Sequence, residues 1–118
     1  MSTRLANRVA IVTGAGRGIG RGIALGYARE GAKVALVSRN VEELDALANE
    51  ITQAGGQALV TAGDVRDAHV ANGIVAQVVD HWGKVDALVN AAGIPMAVPT
   101  TELSDEKWQM TLDINVNG

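Results

Sequence analysis

The peptide TGAGRGIG, residues Thr13–Gly20, decides the fold of this 118-residue chain. An apolar, β-branched run, Arg8–Thr13, leads into it, and apolar residues at helical spacing, among them Ile23 and Tyr27, follow. At such a turn, backbone N–H groups and the positive end of a helix can hold a phosphate that a side chain would keep away. The strand–turn–helix context therefore predicts a dinucleotide phosphate site in a βαβ unit.

Three glycines have different expected roles in this turn. Gly14 suits the tight turn, Gly18 the close approach of a phosphate, and Gly20 the packing of helix on strand. The alternative is a glycine-rich turn without a ligand, which the flanking strand and helix patterns disfavour. A Walker-type phosphate loop is excluded, because no Lys-Ser or Lys-Thr pair follows the glycines.

Strand and helix patterns alternate along the rest of the chain. Short β-branched runs predict four strands, Arg8–Thr13, Lys33–Ser38, Ala58–Ala62 and Val85–Asn90. Apolar residues at helical spacing predict three helices between them, through Ile19, Ile23 and Tyr27, through Leu44, Leu47, Ala48 and Ile51, and through Val70, Ile74, Val78 and Trp82. The expected helix ends are marked by Gly31, Gly55–Gly56 and Gly83. A further helix is expected to begin at Ser104 as its N-cap.

This alternation predicts a single α/β domain over residues 1–118, a Rossmann-type parallel sheet with helices on both faces. The net charge of -3, without a block of like charge, argues against a nucleic-acid or membrane partner. No run of apolar residues is long enough to span a membrane. The absence of cysteine excludes disulfides and thiolate metal sites, and a reducing, cytoplasmic location is expected.

Several other residues have a simple structural interpretation. His69 and His81 lie twelve residues apart on one predicted helix, too far to chelate one metal, and are expected in solvent. Trp82 and Trp108 are expected to pack helices against the sheet. The acidic residues that open the second helix are expected to face solvent: Glu42, Glu43 and Asp45.

Taken together, four motifs resemble those of the classical short-chain dehydrogenase/reductase family. TGAGRGIG resembles the family's TGxxxGxG turn, and Asp64-Val65 follows the third predicted strand. Residues 90–93, Asn-Ala-Ala-Gly, follow the fourth, with Ala91 where the family usually has a second asparagine. Asn115 lies within Asp-Ile-Asn-Val-Asn-Gly. The resemblance covers essentially the whole chain and is strongest to the branch that contains 3-oxoacyl-carrier-protein reductases.

The resemblance implies an oxidoreductase that transfers a hydride between a nicotinamide cofactor and a small carbonyl or alcohol substrate. It implies strands in the order 3-2-1-4, with the sheet continuing beyond the fourth strand. It also implies a homodimer or homotetramer for the complete protein. The competing hypothesis is a non-catalytic dinucleotide-binding module, or an inactive fragment of the family.

The residues after the second strand indicate which cofactor binds. An acidic residue there would accept hydrogen bonds from the ribose hydroxyls and select NAD, but the chain has Ser38-Arg39-Asn40. Arg39 can form a charge-assisted fork with a 2′-phosphate, and Arg17 lies where NADP-preferring members often carry a second basic residue. The alternative is two solvated arginines. The pattern favours NADP over NAD.

The resemblance assigns further cofactor contacts at the strand ends. Asp64 would accept from the adenine amino group, the Val65 amide would contact the ring, and Asn90 would lie under the adenosine ribose. Asp64 and Asn90 are also good turn residues, and both roles can coexist. The full set of expected cofactor-binding residues is Gly14, Ala15, Gly16, Arg17, Gly18, Ile19, Gly20, Ser38, Arg39, Asn40, Asp64, Val65, Asn90, Ala91 and Gly93.

The family's proton donor, a tyrosine with a lysine four residues later, has no match in these 118 residues. The single tyrosine is Tyr27, and Gly31 stands four positions after it. Tyr27 is therefore expected to belong to the apolar stripe of the first helix. Asn115 matches the family's catalytic asparagine, whose backbone carbonyl binds a water of the proton relay. The 118 residues alone are expected to be inactive, with no metal involved.

Overall fold

The computed structural model describes residues 5–16 and 18–91, in which strands and helices alternate. The elements are β1 (Val9–Thr13), α1 (Gly18–Arg29), β2 (Lys33–Ser38), α2 (Val41–Gln53), β3 (Gln57–Ala62), α3 (Ala68–Trp82) and β4 (Ala87–Asn90). The strands form one parallel sheet in the order β3-β2-β1-β4. The predicted α/β architecture and strand order are confirmed.

Apolar cores lie on both faces of the sheet. On one face, α1 and α2 pack against β1, β2 and β4 through a core that includes Val12, Ala24, Leu36, Leu44, Leu47, Ile51 and Val89. On the other face, α3 packs against the sheet through a core that includes Val9, Ile11, Ala35, Val37, Ile74, Val75 and Val78. Successive strand residues therefore alternate between two buried faces, which explains the nearly continuous apolar runs of β1, β2 and β4.

The buried stripe of α1 differs from the predicted one. Gly20, Ala24 and Ala28 are its buried residues, whereas Ile19 is 52% exposed and Tyr27 is only half-buried. Small side chains allow the helix to lie close to the sheet, which a stripe of large residues would prevent. The prediction was wrong for Ile19 because periodicity was read from large apolar residues alone.

The carboxyl ends of the helices follow the predicted glycine signals, and two N-caps that were not predicted define the starts of α2 and α3. Asn40 and Asp67 are the N-caps of α2 and α3, and their side chains accept hydrogen bonds from amides of the first turn. Gly31, Gly55 and Gly83 have left-handed φ angles of 96°, 91° and 84°. Glycine adopts this conformation without the steric penalty of a Cβ atom, so each one ends a helix cleanly.

Strand bounds differ slightly from the predicted ones. β1 begins one residue later than predicted, β3 begins one residue earlier at Gln57, and β4 begins at Ala87 instead of Val85. β3, at one edge of the described sheet, is also the least buried strand, whereas β4 at the other edge is buried throughout. The predicted helix from Ser104 and the predicted packing of Trp108 lie outside the described residues.

Asp86 fastens β1 to the segment before β4 at the amino end of the sheet. Its side chain is 1% exposed, and its Oδ2 accepts from the backbone N–H of Val9 at 2.8 Å and from Lys84 Nζ at 3.0 Å. Arg8 Nη1 lies 3.7 Å from the other oxygen. A buried carboxylate needs such partners, because an unpaired charge in the interior is costly.

Candidate functional site

Two adjoining cavities open at the carboxyl ends of β1, β2 and β3. The larger, of about 600 Å³, is lined by Gly14, Gly16, Ser38, Arg39, Asn40, Val41, Glu42 and Glu43. The smaller, of about 230 Å³, is lined by Gly14, Val37, Ser38, Arg39, Gly63, Asp64, Val65 and Arg66. Gly14, Ser38 and Arg39 line both cavities. The site therefore lies outside the carboxyl ends of the strands, where open α/β sheets bind ligands.

The glycine turn between β1 and α1 needs its glycines for identifiable reasons. Gly14 and Gly18 have φ angles of 65° and 62°, in the left-handed region that favours glycine. A Cβ atom on Gly20 would overlap the carbonyl oxygen of Gly14. A Cβ atom on Gly18 would meet no heavy atom within 4 Å, so the turn is open on that side. The geometry agrees with a tight turn at Gly14 and close packing at Gly20.

Ala15 and Ile19 occupy different surroundings within this turn. Ala15 is fully buried, and its N–H donates to the carbonyl oxygen of Val37 at 3.1 Å. Its amide therefore ties the turn to the end of β2 and is not directed at a ligand. Ile19 lies exposed in the first turn of α1.

Glu43 lies over the turn, contrary to the predicted solvated helix start. A Cβ atom on Gly16 would lie 2.8 Å from Oε1 and 3.1 Å from Cβ of Glu43. The side chain is half-buried and lines the larger cavity. Asn40 caps α2, since its Oδ1 accepts from the Glu43 N–H at 3.1 Å. The cap fixes the start of α2, whose first turn lies beside the glycine turn. The prediction failed because charge alone was taken to indicate solvent.

The end of β2 presents Arg39 between the two cavities. Ser38 Oγ accepts from the N–H of Asn40 at 3.0 Å, and the Ser38 carbonyl oxygen accepts from the N–H of Gly63 at 3.0 Å. These bonds hold the backbone on both sides of Arg39. The Arg39 side chain is exposed and forms no hydrogen bond or ion pair with the residues that the structure describes.

Asp64 follows β3 and is ion-paired with Arg66. Arg66 Nη2 lies 2.7 Å from Oδ2, and Arg66 Nε lies 3.0 Å from Oδ1 and 3.2 Å from Oδ2. The Arg66 backbone N–H also donates to Oδ1, at 3.0 Å. These side-chain and backbone hydrogen bonds lower the pKa of Asp64 to about 2, helped by the charges of Arg66 and Arg39. Val65, between them, is buried and anchors the segment.

Asn90 joins the ends of β4 and β1. It is buried opposite Thr13 in the sheet, and its Oδ1 accepts from Thr13 Oγ1 at 2.9 Å. Ala91 is half-buried in the turn that follows. Asn90 is thus the last residue of β4 and not a turn residue, and it lies at the same edge of the sheet as the glycine turn.

Sequence reasoning missed three residues of this edge, Thr13, Glu43 and Arg66. For Glu43 there was a signal, because an acidic residue three positions after the Asn40 cap faces back towards the start of the helix. Arg66, two positions after Asp64, was a candidate partner for that carboxylate in a turn. Arg17, Gly93 and Asn115 belong to the predicted site but lie outside the described residues.

The remaining candidates do not join the site. Tyr27 packs against the core beneath α1, as predicted for a structural residue. His69 and His81 are exposed, and in the described ranges no group of three or more His, Asp or Glu residues could hold a metal ion. None of the described helices is both long and apolar enough to cross a bilayer.

Comparison with known proteins identifies the family. The family model for short chain dehydrogenases matches residues 8–118. The chain belongs to this family. D-threitol dehydrogenase of Mycolicibacterium smegmatis is 42% identical to this short-chain dehydrogenase over 115 residues, which is 98% of this chain and 44% of the relative. The chain therefore spans about half the length of the curated relatives that it matches.

Solved structures of the family share this fold. A metagenomic short-chain oxidoreductase in complex with NADP is 41% identical, with a TM-score of 0.70 over 73% of this chain and 39% of the other. L-Sorbose reductase of Gluconobacter frateurii, complexed with NADPH and L-sorbose, is 36% identical, with a TM-score of 0.74 over 91% of this chain and 41% of the other. Both of these neighbours hold a dinucleotide.

The described residues fit such a cofactor. The turn at Gly14 and Gly16 borders the larger cavity without side chains of its own, which leaves room for a pyrophosphate. Arg39 supplies a positive charge at the junction of the cavities, and Asp64 supplies an ionised carboxylate in the smaller one.

Proposed function

We propose that this short-chain dehydrogenase is an NADP-dependent oxidoreductase that transfers a hydride between NADP(H) and a carbonyl or alcohol substrate. Arg39 carries the cofactor part of the proposal. It is the residue at the end of β2 where an acid would select NAD, and it lines both cavities. A guanidinium can hold a 2′-phosphate through two parallel hydrogen bonds, whereas a carboxylate would repel that group.

Each part of the cofactor has a proposed partner in the chain. The backbone from Gly14 to Gly20 binds the pyrophosphate at the start of α1, with Arg17 adding positive charge. Ser38, Arg39 and Asn40 bind the 2′-phosphate end. Asp64 and Val65 bind the adenine, and the remaining proposed contacts are Asn90, Ala91 and Gly93.

NADPH, when bound, would supply the hydride, and the chain's own residues would fix its position. The backbone of Gly14 packs closely against Gly20, so the turn should hold the pyrophosphate in one position relative to the sheet. Asn115 is proposed to hold a water of the proton relay through its backbone carbonyl. These 118 residues contain no tyrosine that precedes a lysine by four positions, the pair that the family resemblance implies as the proton donor.

A titration of both reduced cofactors tests the cofactor assignment. The protein expressed from its complete reading frame should bind NADPH at least about tenfold more tightly than NADH, as followed by nicotinamide fluorescence. Arg39→Asp should remove or reverse this preference, because repulsion of the phosphate is added to the lost fork. Arg29→Asp, an equal charge change on an exposed arginine at the end of α1, is the matched control.

Equal affinities in the parent, or an unchanged ratio in Arg39→Asp, would contradict the NADP assignment. A substrate panel then tests the reaction class. It should contain a 3-oxoacyl thioester, as expected from the resemblance to the 3-oxoacyl-carrier-protein reductase branch, together with L-sorbose and D-threitol. The non-catalytic module would be favoured if the protein binds the cofactor but no carbonyl substrate oxidises NADPH and no alcohol reduces NADP.

Location and assembly are also proposed from the family resemblance. The cysteine-free sequence is consistent with a cytoplasmic protein. A homodimer or homotetramer is proposed for the complete protein. Sedimentation equilibrium of that protein should give twice or four times the monomer mass, and a monomer would contradict the proposal.

A further inference from the structure

Arg66 donates to both carboxylate oxygens of Asp64. Its Nε carries a single hydrogen, which is shared between Oδ1 and Oδ2. Oδ1 accepts from the Arg66 backbone N–H and from Nε, and Oδ2 accepts from Nε and Nη2. Both residues lie at the mouth of the smaller cavity, with about half of the Arg66 side chain exposed. Arg66 therefore pairs with both oxygens of Asp64 in this state.

This pairing competes with the role proposed for Asp64 in cofactor binding. An adenine amino group would bond to the same carboxylate, which Arg66 already contacts through Nε, Nη2 and its backbone N–H. The backbone around Arg66 is fixed, because Val65 is buried and Asp67 caps α3. The side chain of Arg66 is therefore the part that can move.

The smaller cavity offers the Arg66 side chain a second binding partner. Arg39 lines the same cavity as Arg66 and Asp64, and its charge contributes to lowering the pKa of Asp64. A 2′-phosphate bound to Arg39 would bring nearly two negative charges to this cavity, against one on Asp64. Arginine pairs with phosphate and with carboxylate through the same bidentate geometry, so it can exchange one partner for the other.

We propose that Arg66 is a second cofactor-binding cation that exchanges Asp64 for the 2′-phosphate when the adenosine end of NADP enters. The exchange frees Asp64 for the adenine amino group, so phosphate and base are recognised together. This inference rests on the proposed function. It assigns to Arg66 a share of the preference for NADP over NAD in addition to that of Arg39.

The affinities of two nucleotide fragments distinguish this role of Arg66 from a purely structural role in the loop. The probes are 2′,5′-ADP, which carries the phosphate, and 5′-AMP, which lacks it, titrated calorimetrically into the protein expressed from its complete reading frame. Arg66→Gln should weaken binding of 2′,5′-ADP about tenfold. Binding of 5′-AMP should stay the same or tighten, because Asp64 no longer needs to be released from Arg66.

Controls match both the chemistry and the fold. Arg21→Gln removes another exposed arginine that pairs with a carboxylate, Glu50, but lies outside both cavities, and it should change neither affinity. Arg66→Lys keeps the charge but loses the fork, and it should recover part of the lost affinity, with a steeper salt dependence than Arg66→Gln.

Equal weakening of both fragments in Arg66→Gln would overturn the exchange, since it would indicate that Arg66 only steadies the loop. Unchanged binding of 2′,5′-ADP would overturn it as well. If the parent binds the two fragments equally, the proposed NADP preference itself fails, and the inference about Arg66 fails with it. If the parent prefers 2′,5′-ADP and Arg66→Gln keeps the same preference, only the inference about Arg66 is contradicted.

Discussion

The two ends of the sheet each contain an aspartate with cationic partners, but the surroundings of the two carboxylates are opposite. At the amino end, Asp86 is 1% exposed and bonds to the Val9 backbone and to Lys84. At the carboxyl end, the side chain of Asp64 is 37% exposed and bonds only to Arg66, a neighbour in sequence, among the described residues. The first connects distant segments, whereas the second constrains only its own turn.

This difference separates structural stability from ligand binding. A buried carboxylate that holds a backbone N–H cannot release it without leaving an unsatisfied group in the interior. An exposed carboxylate can exchange partners with water or ligand at little cost, and such surface pairs contribute little to stability. The Asp86 carboxylate should therefore contribute to folding stability, and the Asp64 carboxylate should contribute to cofactor affinity.

Removal of Asp86 should have the largest effect on stability. Asp86→Ala leaves the Val9 N–H without its buried partner and Lys84 without its counter-charge, which should cost about 3 kcal/mol of unfolding free energy. Urea denaturation measures this loss. Asp64→Ala is the matched control, and it should leave the urea midpoint unchanged while it weakens NADPH binding. Equal loss of stability in both variants would contradict the division between the two ends.

The glycine turn should show the next largest effect, now at the carboxyl end. Gly20→Ala places a Cβ atom against the Gly14 carbonyl oxygen, so the turn must shift, at a cost of about 2 kcal/mol. Cofactor affinity should fall with it. Gly22→Ala, in the same helix with nothing within 4 Å of the new atom, should instead stabilise by about 0.5–1 kcal/mol. Thermal unfolding and NADPH titration follow both variants, and similar behaviour would disprove the close packing at Gly20.

For Glu43, at the same end of the sheet, we expect a smaller effect on cofactor affinity and one of opposite sign. Its carboxylate lies beside Gly16 in the larger cavity, so its negative charge faces the space proposed for the pyrophosphate. Glu43→Gln keeps the shape and removes the charge, so NADPH should bind about two- to fivefold more tightly. Asp45→Gln, on the exposed side of α2, provides the control. A weaker affinity in Glu43→Gln would mean that the carboxylate holds a group that the cofactor needs.

The pH dependence of Asp64 should give the smallest effect. Because its pKa is lowered from 3.8 to about 2, the pair with Arg66 is fully present above pH 4 and is lost only as the pH falls through about 2. Side-chain carboxyl chemical shifts in NMR should titrate near pH 2 in the parent and closer to 3.8 in Arg66→Gln. A parent midpoint close to 3.8 would show that Arg66 does not hold Asp64 in solution.

The sequence predicted the sheet well because strands buried on both faces leave a strong apolar signal. Val34–Val37 is such a run, and its strand was predicted with the observed bounds. The buried face of α1 was missed because Gly20, Ala24 and Ala28 carry little hydrophobic signal, yet their small size is what close packing requires.

The candidate site was predictable where backbone conformation dictates residue type, as at Gly14 and Gly18 with their left-handed φ angles. The candidate site was less predictable where the position of a side chain depends on contacts with distant parts of the chain. The Arg66–Asp64 pair is local to one turn, but Glu43 lies beside Gly16 because the start of α2 and the glycine turn meet at the sheet edge. Such contacts come from tertiary structure, which a single sequence does not encode locally.

Amide hydrogen exchange with and without NADPH tests the central claim most directly, because it compares both ends of the sheet in one experiment. Saturating NADPH should slow exchange in peptides that cover residues 14–20, 38–40 and 63–66. Peptides that cover Lys84–Ala87 at the amino end should exchange at the same rate with or without the cofactor. Protection confined to the amino end, or no added protection at residues 14–20, would contradict the assignment of cofactor binding to the carboxyl end.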